Sequence, residues 1–227
     1  MKKALFIPIL VMVALVSQAQ FRAVNRVSFE SNVGFSLMHG DIAPSSINVC
    51  LQLGVNYALL RSMSICGAVN YLSFSSTGDE YGRSSAGSII GFQFDYEINI
   101  PQLLTDYPQT FPVSPYIKFG AGYNIAQVTE LSYGDIAGTA IYPESPNKIT
   151  SQSHGSLMIP TTIGAYFRLN SYADINLKIN YVYADSDEID GHVPIVVGNQ
   201  YSDSYSMIMV GIRMKSWDRR RPHITGR

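Results

Sequence analysis

Apolar and polar residues alternate along eight segments of this chain, and clusters of Gly, Asn, Asp and Pro separate the segments. In one of them, every second residue from Val49 to Leu59 is apolar, whereas the residues between are polar or small. Side chains of a β-strand point alternately to two faces, so this period of two predicts a sheet with one apolar face. The predicted strands span 24–38, 48–59, 63–75, 86–98, 115–130, 156–169, 173–184 and 203–215.

The N-terminal end has a different pattern. Lys2 and Lys3 precede an apolar run at 4–16, and Ser17-Gln18-Ala19 has the small-x-small form of a signal-peptide cleavage site. A spanning helix needs about 20 apolar residues, so this shorter run predicts an export signal at 1–19 rather than an anchor. No cysteine follows the cleavage site directly, which argues against a lipoprotein. Because no later run is long enough for a spanning helix, the exported chain would enter a membrane only as a barrel.

Composition favours a membrane barrel over a soluble sandwich, which would show the same alternation. The chain has 15 Tyr, 10 Phe and 18 Gly with only 15% charged residues, and membrane barrels carry aromatic girdles at both interfaces. Without the two signal-peptide lysines, 14 basic residues (16 minus 2) face 17 acidic ones, a net charge of −3, which gives no reason to expect nucleic acid. We predict an all-β fold, an eight-stranded antiparallel outer-membrane β-barrel over 20–215, with its apolar face toward lipid.

The links between the predicted strands fall into two classes. Two are tight turns, at 60–62 and 170–172, and four are longer and more polar, at 39–47, 76–85, 131–155 and 185–202. Outer-membrane barrels have short periplasmic turns and long external loops, so this order predicts that both chain termini are periplasmic. Link 99–114 breaks the order because it is long yet should be periplasmic. It is either a docking surface, with Asp106 and Tyr107 as candidate contacts, or a tolerated insertion.

Charged residues fall on the polar faces of six predicted strands, which in a barrel would line the lumen. An eight-stranded barrel is just wide enough for side chains to fill its interior. Ionised groups there must pair, because an unpartnered buried charge costs several kcal/mol. We therefore predict a packed polar network that closes the lumen, rather than a conducting pore. Its members are three acids and four bases: Glu30, Asp95, Glu97, Lys118, Arg168, Lys178 and Arg213.

The tight turn at 60–62 also places the two cysteines. It pairs positions whose numbers sum to about 122, so Cys50 should face Leu72 and Cys66 should face Asn56. The two thiols then lie roughly 20 Å apart at 3.3 Å per residue. A disulfide needs Cα atoms within about 7 Å, so we expect both cysteines to remain unpaired.

Two further clusters suggest chemistry, and each has a simpler interpretation. His154-Gly155-Ser156 puts a base near a hydroxyl nucleophile, but a loop histidine is more often simply solvated and no other residue supports a lipid hydrolase. The acidic segment with Asp185, Asp187 and Asp190 has the carboxylates that Ca²⁺ prefers. Its spacing does not match the helical calcium loop, so we favour a solvated loop. We expect no catalytic residue, cofactor or metal.

The segment 216–227 is a basic tail after the last predicted strand. Trp217 lies near the position where many barrels end on an aromatic residue, and Arg219, Arg220 and Arg221 follow it. On the periplasmic side, this tail would contact anionic headgroups or an acidic partner. The alternative is a frayed terminus.

Several local patterns, in consistent order along the chain, resemble the PorG-type family of small outer-membrane barrels from Bacteroidetes. They correspond to a Gly-Asp step after the first strand, a Pro-Tyr entry to the fifth, a glycine-aromatic run within it, an Ile-Pro-x-Gly sixth strand, a tyrosine-rich exit of the seventh and an Asp-x-Tyr entry to the eighth. The matching residues are Gly40-Asp41-Ile42, Ser114-Pro115-Tyr116, Phe119-Gly120-Ala121-Gly122-Tyr123, Ile159-Pro160 with Gly164, Tyr181-Val182-Tyr183-Ala184-Asp185, and Asp203-Ser204-Tyr205. Two features depart from the family: the aromatic-glycine pair near Pro160 is missing, and link 131–155 is longer and richer in Ser and Thr.

The resemblance implies an accessory protein of type IX secretion or gliding motility. Such a barrel would contact outer-membrane lipid and periplasmic secretion or motility proteins, and it would have no catalytic residues of its own. On this basis we expect a non-enzymatic barrel that anchors an envelope assembly, with link 99–114 and the tail as its docking surfaces. The alternatives are an OmpA-like structural or adhesion barrel and, less favoured, an outer-membrane lipid-modifying enzyme or a small-solute porin.

Overall fold

A computed structural model describes residues 26–40, 46–76, 82, 84–105, 111–132, 152–186, 189 and 202–216. Within these residues, eight antiparallel strands close into one barrel in sequence order, which confirms the predicted fold. The strands are β1 (Val27–His39), β2 (Asn48–Ala58), β3 (Met63–Ser76), β4 (Ser84–Asn99), β5 (Val113–Ser132), β6 (Gln152–Arg168), β7 (Ala173–Ala184) and β8 (Ser204–Lys215), with one short helix, α1 (Ile100–Leu103), after β4. No helix in the described ranges is long and apolar enough to cross a membrane.

The two faces of the sheet are those that the alternation predicts. On β2, the apolar residues from Val49 to Tyr57 point outward and are 43–64% exposed, whereas Cys50, Gln52 and Asn56 point inward and are at most 3% exposed. The outer surface of the barrel is therefore apolar, and its polar face is buried around the axis. This is the reverse of a soluble sandwich, where the apolar faces pack together.

The strands are tilted, and their stagger can be read from the hydrogen-bonded pairs. Starting at Val27 and passing from partner to partner through all eight strands returns to β1 at Leu37, ten residues further along (37 minus 27). The path is Val27, Tyr57, Ile65, Tyr96, Phe119, Thr161, Tyr181, Ser206, Leu37. Such a shear fits strands tilted by roughly 35–45° to the axis. Residues at the same height in the lumen are therefore not hydrogen-bonded neighbours.

The links divide the barrel into two ends. We call the end where β1 begins and β8 finishes the terminal end; it also carries the β2–β3 turn, the β4–β5 link with α1, and the β6–β7 turn. The opposite end, with the four longer links, is the loop end. Helix α1 begins because the side chain of Asn99 accepts a hydrogen bond from the N–H of Gln102, with Pro101 in its first turn.

The β2–β3 register is the predicted one, since Cys50 pairs with Leu72 and Cys66 with Asn56. Both cysteines are buried and free in the structure. They lie at different heights inside the barrel, which is the geometric reason that the two thiols do not meet.

Candidate functional site in the barrel lumen

The lumen near the terminal end is crossed by ion pairs between opposite walls. Lys118 on β5 lies with its Nζ 3.3 Å from Glu30 on β1 and 3.0 Å from Glu97 on β4. Because β1 and β5 are four strands apart in a ring of eight, the Lys118–Glu30 pair spans the full diameter of the barrel. Arg213 on β8 crosses in the same way, with its Nη1 3.6 Å from Glu97.

A tyrosine links the two carboxylates at the centre of this network. The Tyr166 hydroxyl lies 2.6 Å from Glu30 and 2.7 Å from Glu97, so it can donate its one proton to either carboxylate. The ring of Tyr166 stacks on Tyr116 at a centroid distance of 4.2 Å and faces the Arg213 guanidinium at 3.5 Å. Cations thus lie against this stacked pair, since Lys118 is also 5.1 Å from the Tyr116 ring centroid. Ion pairs in such a buried site interact more strongly than ion pairs on a surface.

A second group of ion pairs lies closer to the mouth of the terminal end. Asp174 on β7 accepts hydrogen bonds from Arg213 at 2.7 and 3.0 Å and from Lys215 at 2.7 Å. We call the whole set the charge layer, and it contains four acids and four bases, so its formal charge is zero. Its members are Glu30, Asp95, Glu97, Asp174, Lys118, Lys178, Arg213 and Lys215.

Six of the seven residues predicted for the lumen network are in the charge layer, and Arg168 is not. Arg168 has the inward parity but is exposed, because it is the last residue of β6 and lies at the rim, where water solvates its guanidinium. The prediction of a lumenal role for Arg168 is therefore wrong. Conversely, Asp174 is not among the predicted members, although it is 2% exposed and shares a strand face with Lys178. The alternation of β7 already places Asp174 on the same inward face as Lys178, so the sequence could have identified it.

Five side-chain amides next to the charge layer are joined head to tail along the lumen wall, and on β7 Asn176 lies between Asp174 and Lys178. The Tyr116 hydroxyl donates to Asn176, and each amide then donates to the carbonyl oxygen of the next until Gln93 donates to Asp95. The order is Asn176, Asn32, Gln52, Asn70, Gln93, on β7, β1, β2, β3 and β4. Aligned amides polarise one another, so such a chain is stronger than its separate bonds.

This amide chain passes over β8 at a glycine. Gly211 is the strand partner of both Asn32 and Asn176. A Cβ atom at Gly211 would overlap the Asn32 side chain and the backbone of β1. The absence of a side chain on β8 therefore allows amides two strands apart to bond directly, at 3.0 Å.

Toward the loop end, apolar side chains dominate the lumen, with buried polar side chains such as Asn124 and Asn180 among them. A buried cluster with members from all eight strands fills it, and Ile189, from the link after β7, is also buried there. The cluster consists of Met38, Cys50, Leu72, Phe74, Ile89, Ala126, Val128, Leu131, Met158, Val182, Ala184, Ile189, Tyr205, Met207 and Met209. We call it the loop-end core. The interior therefore changes along the axis from ion pairs and amides at the terminal end to mainly apolar side chains at the loop end.

The link after β7 is attached to the loop-end core by its backbone as well. The N–H of Ile189 donates to the Asp203 carboxylate at 2.9 Å, and the N–H of Asp203 donates to the carbonyl of Ser186 at 3.0 Å. These bonds hold one apolar residue of the link, Ile189, against the loop-end core. Ile189 is missing from the sequence predictions, because a single isoleucine in an acidic segment has no periodic signal.

The remaining candidates are only partly described. His154 and Ser156 both lie on the inner face of β6, but the buried Ser156 hydroxyl has no hydrogen-bond partner among the described residues. Asp185 is exposed at the end of β7. The other ion-loop and docking candidates lie outside the described residues: Asp187, Asp190, Asp106, Tyr107, Trp217, Arg219, Arg220 and Arg221.

Comparison with known proteins supports the fold. No family model matches the chain, and no curated protein matches it. Among solved structures, Neisserial surface protein A (NspA) is similar with a TM-score of 0.52 and 12% identity, over 84% of this chain and 97% of that one. A major outer membrane protein from Thermus thermophilus gives a TM-score of 0.49 with 13% identity, over 84% of this chain and 99% of that one. At 12% identity the likeness to NspA concerns the fold alone, and that fold is the small eight-stranded barrel of outer-membrane proteins.

Proposed function

We propose that this protein is a non-enzymatic accessory barrel of the outer membrane that anchors an envelope assembly of the PorG type, in type IX secretion or gliding motility. The observation that carries the proposal is the occupied lumen, in which ion pairs join β1 to β5 and β4 to β8 across the full diameter. A lumen filled in this way favours a function on the outside of the barrel, at its two ends, over transport through it.

The proposed orientation puts both termini and α1 in the periplasm. It is supported by the four longer links at the opposite end, the usual position of external loops. The test uses cysteine labelling of intact cells with a membrane-impermeant maleimide. Ser145→Cys, in the link after β5, should be labelled, whereas Arg61→Cys, in the β2–β3 turn, should be labelled only after lysis. The native thiols give little background because both are buried. Labelling of Arg61→Cys in intact cells would reverse the orientation.

The proposed docking surface lies on link 99–114 and the tail. Support comes from the described part of the link, where Leu103 and Leu104 are 52% and 78% exposed; Leu169, in the β6–β7 turn at the same end, is 57% exposed. Apolar side chains grouped at the end of a barrel are typical of a protein contact. A machinery protein that binds there would bury these leucines and meet the basic tail.

The experiment is a pull-down of the tagged barrel from host membranes in mild detergent. Leu103→Ser with Leu104→Ser should release the periplasmic partners while the barrel stays folded, and a replacement inside 133–150 serves as the matched control at the other end. Retained partners in the double-serine variant, and in a variant that also lacks 217–227, would refute the docking surface. If the replacement inside 133–150 abolishes the function of the protein in cells and the double-serine variant does not, an adhesion barrel is favoured instead. A change of envelope lipid on His154→Ala would favour an enzyme.

A further inference from the structure

We propose that the terminal end binds an acidic protein segment, whose carboxylates pair with Arg61 and Arg168 on either side of helix α1. The inference rests on the proposed docking function and adds the chemistry of the partner. It is carried by residues of the barrel itself, apart from the tail. We call them the basic strip, and they are Arg61, Leu103, Leu104 and Arg168.

The two arginines lie beside the link that carries α1, because backbone hydrogen bonds join the neighbouring segments. Where the link begins, the N–H of Asn99 donates to the carbonyl of Ser62, the residue after Arg61, at 2.8 Å. Where it ends, the N–H of Arg168 donates to the carbonyl of Pro112 at 2.9 Å. Arg61 and Arg168 therefore flank the link, one at its start and one at its end.

The basic strip combines charge with apolar surface. Arg61 and Arg168 are exposed, and Leu103 and Leu104, on the link between them, are 52% and 78% exposed. Arg61 lies just before β3 and Arg168 ends β6, three strand spacings away, roughly 14 Å along the rim. A segment with two carboxylates at about this separation and an apolar side chain between them would fit the strip. On an α-helix the separation corresponds to roughly nine residues.

Charge is segregated between the two ends of the barrel. Among the described residues, the exposed acids Glu130 and Asp185 lie at the loop end, whereas the exposed bases Arg26, Arg61 and Arg168 lie at the terminal end. Of the described residues at the terminal end, no exposed carboxylate would therefore repel an acidic partner. The potential at this end attracts carboxylates and orients their approach.

The same segregation extends over the mature sequence. Outside the charge layer, 13 acids (17 minus 4) and 10 bases (14 minus 4) remain. The links and chain ends of the terminal end contain 8 of these bases and 2 of the acids, a net charge of +6. The loop end contains 2 bases and 11 acids, a net charge of −9. The sequence thus makes the terminal end the basic end as a whole.

The position of the basic strip favours a protein over anionic lipid. Arg168 has the inward parity of β6, and Arg61 lies in a turn, so neither occupies a lipid-facing strand position. Arg26 differs, because its guanidinium donates a hydrogen bond at 3.4 Å to the hydroxyl of Tyr57, on the outer face of the barrel. Basic groups there attract anionic headgroups. Arg26 is therefore the matched control at the same end.

The test is zero-length crosslinking with a water-soluble carbodiimide in envelopes of the native host. A carboxylate oxygen adds to the carbodiimide, a lysine amine then displaces the urea, and an amide forms only where the two groups touch. Arg61→Lys and Arg168→Lys keep the charge and introduce the amine. Each should yield an amide to an Asp or Glu of a periplasmic protein, located by mass spectrometry. Arg26→Lys should yield none beyond the background of the unaltered barrel.

A pull-down of the crosslinked protein, without the reagent, gives the size of the effect. Arg61→Gln with Arg168→Gln should lower its recovery at low salt about four- to twenty-five-fold, since each exposed ion pair contributes about two- to fivefold. Arg26→Gln should leave the recovery unchanged. High salt should lower the recovery by the unaltered barrel in the same way, because salt screens exposed charges. Both arginines are exposed, so the variants should fold, and the single substitutions serve if the double variant does not.

Absence of protein adducts at 61 and 168, in envelopes where the unaltered barrel retains partners, would overturn the proposal. So would equal recovery by the double-glutamine variant and Arg26→Gln, because lipid or water would then solvate the strip. If Leu103→Ser with Leu104→Ser still releases the partners in either case, the docking function stands and only the acidic chemistry fails. An unaltered barrel that retains no periplasmic protein refutes both.

Discussion

Replacement of Lys118 by methionine tests whether the charge layer holds the barrel closed. Methionine has a similar length, so the change removes the cation with little loss of volume. It leaves Glu30 and Glu97, each 3% exposed, on either side of one tyrosine hydroxyl with no ammonium between them. We expect the free energy of unfolding to fall substantially.

The size of the effect follows from the distances. At 3.3 and 3.0 Å, and with an effective dielectric constant of about 20, each pair contributes about 5 kcal/mol of attraction. The methionine variant no longer desolvates an ammonium group, which offsets part of that loss. Breaking a buried pair by removing one partner costs about 3–5 kcal/mol, and this is the loss that we expect for Lys118→Met.

The assay is guanidinium unfolding of the barrel in phospholipid vesicles, followed by the gel mobility of the folded form. Arg168→Gln is the control, since this rim side chain is exposed, and it should change the unfolding free energy by less than about 0.5 kcal/mol. Adding Glu97→Gln to Lys118→Met should restore stability, because it removes the one carboxylate left in excess and returns the charge layer to three acids and three bases. A loss below about 1 kcal/mol for Lys118→Met, or a further loss on adding Glu97→Gln, would refute the reasoning.

Three other changes test separate parts of the barrel. Treatment with an oxidant should leave Cys50 and Cys66 unlinked, because they lie at different heights in the lumen. A protein mass lower by two hydrogen atoms, measured without reductant, would contradict this. Gly34→Ala should destabilise the barrel by about 2 kcal/mol more than Gly67→Ala, since a Cβ at Gly34 overlaps the backbone of β8 while Gly67 has room; equal unfolding midpoints would argue otherwise. Ile189→Ala should speed proteolysis between 190 and 201, because the buried isoleucine attaches that link to the loop-end core; an unchanged cleavage rate would show that the attachment lies elsewhere.

The strands, their faces and one register could be predicted from the sequence because each depends on local information. Alternation with a period of two identifies a strand and its apolar face, and a tight turn fixes the pairing of the two strands that it joins. The β2–β3 register followed from the turn at 60–62 for that reason. Where links are long, as between β5 and β6, the sequence does not specify the register.

The contacts across the lumen could not be predicted, since they depend on the stagger of the whole barrel. Alternation shows that Lys118 and Glu30 both point inward, but only the ten-residue shear places them at the same height. A bulge adds a second difficulty near the loop end of β5. Glu130 pairs with Ala86 and Val128 with Gly87, so one residue is extra and the inward parity changes from Val128 to Leu131.

The division of the lumen into a charge layer and a loop-end core has a consequence for how this barrel can evolve. In the charge layer, a substitution that adds or removes one charge needs a compensating substitution on the opposite wall, often far away in the chain. In the loop-end core, exchanges among apolar side chains that preserve the total volume are tolerated best. Homologous barrels should therefore show paired exchanges, such as a carboxylate on β1 lost together with an amine on β5, in one half of the molecule. Apolar positions in the other half should vary among Leu, Ile, Met and Phe. Sequence similarity between homologues should therefore be lost in that half first.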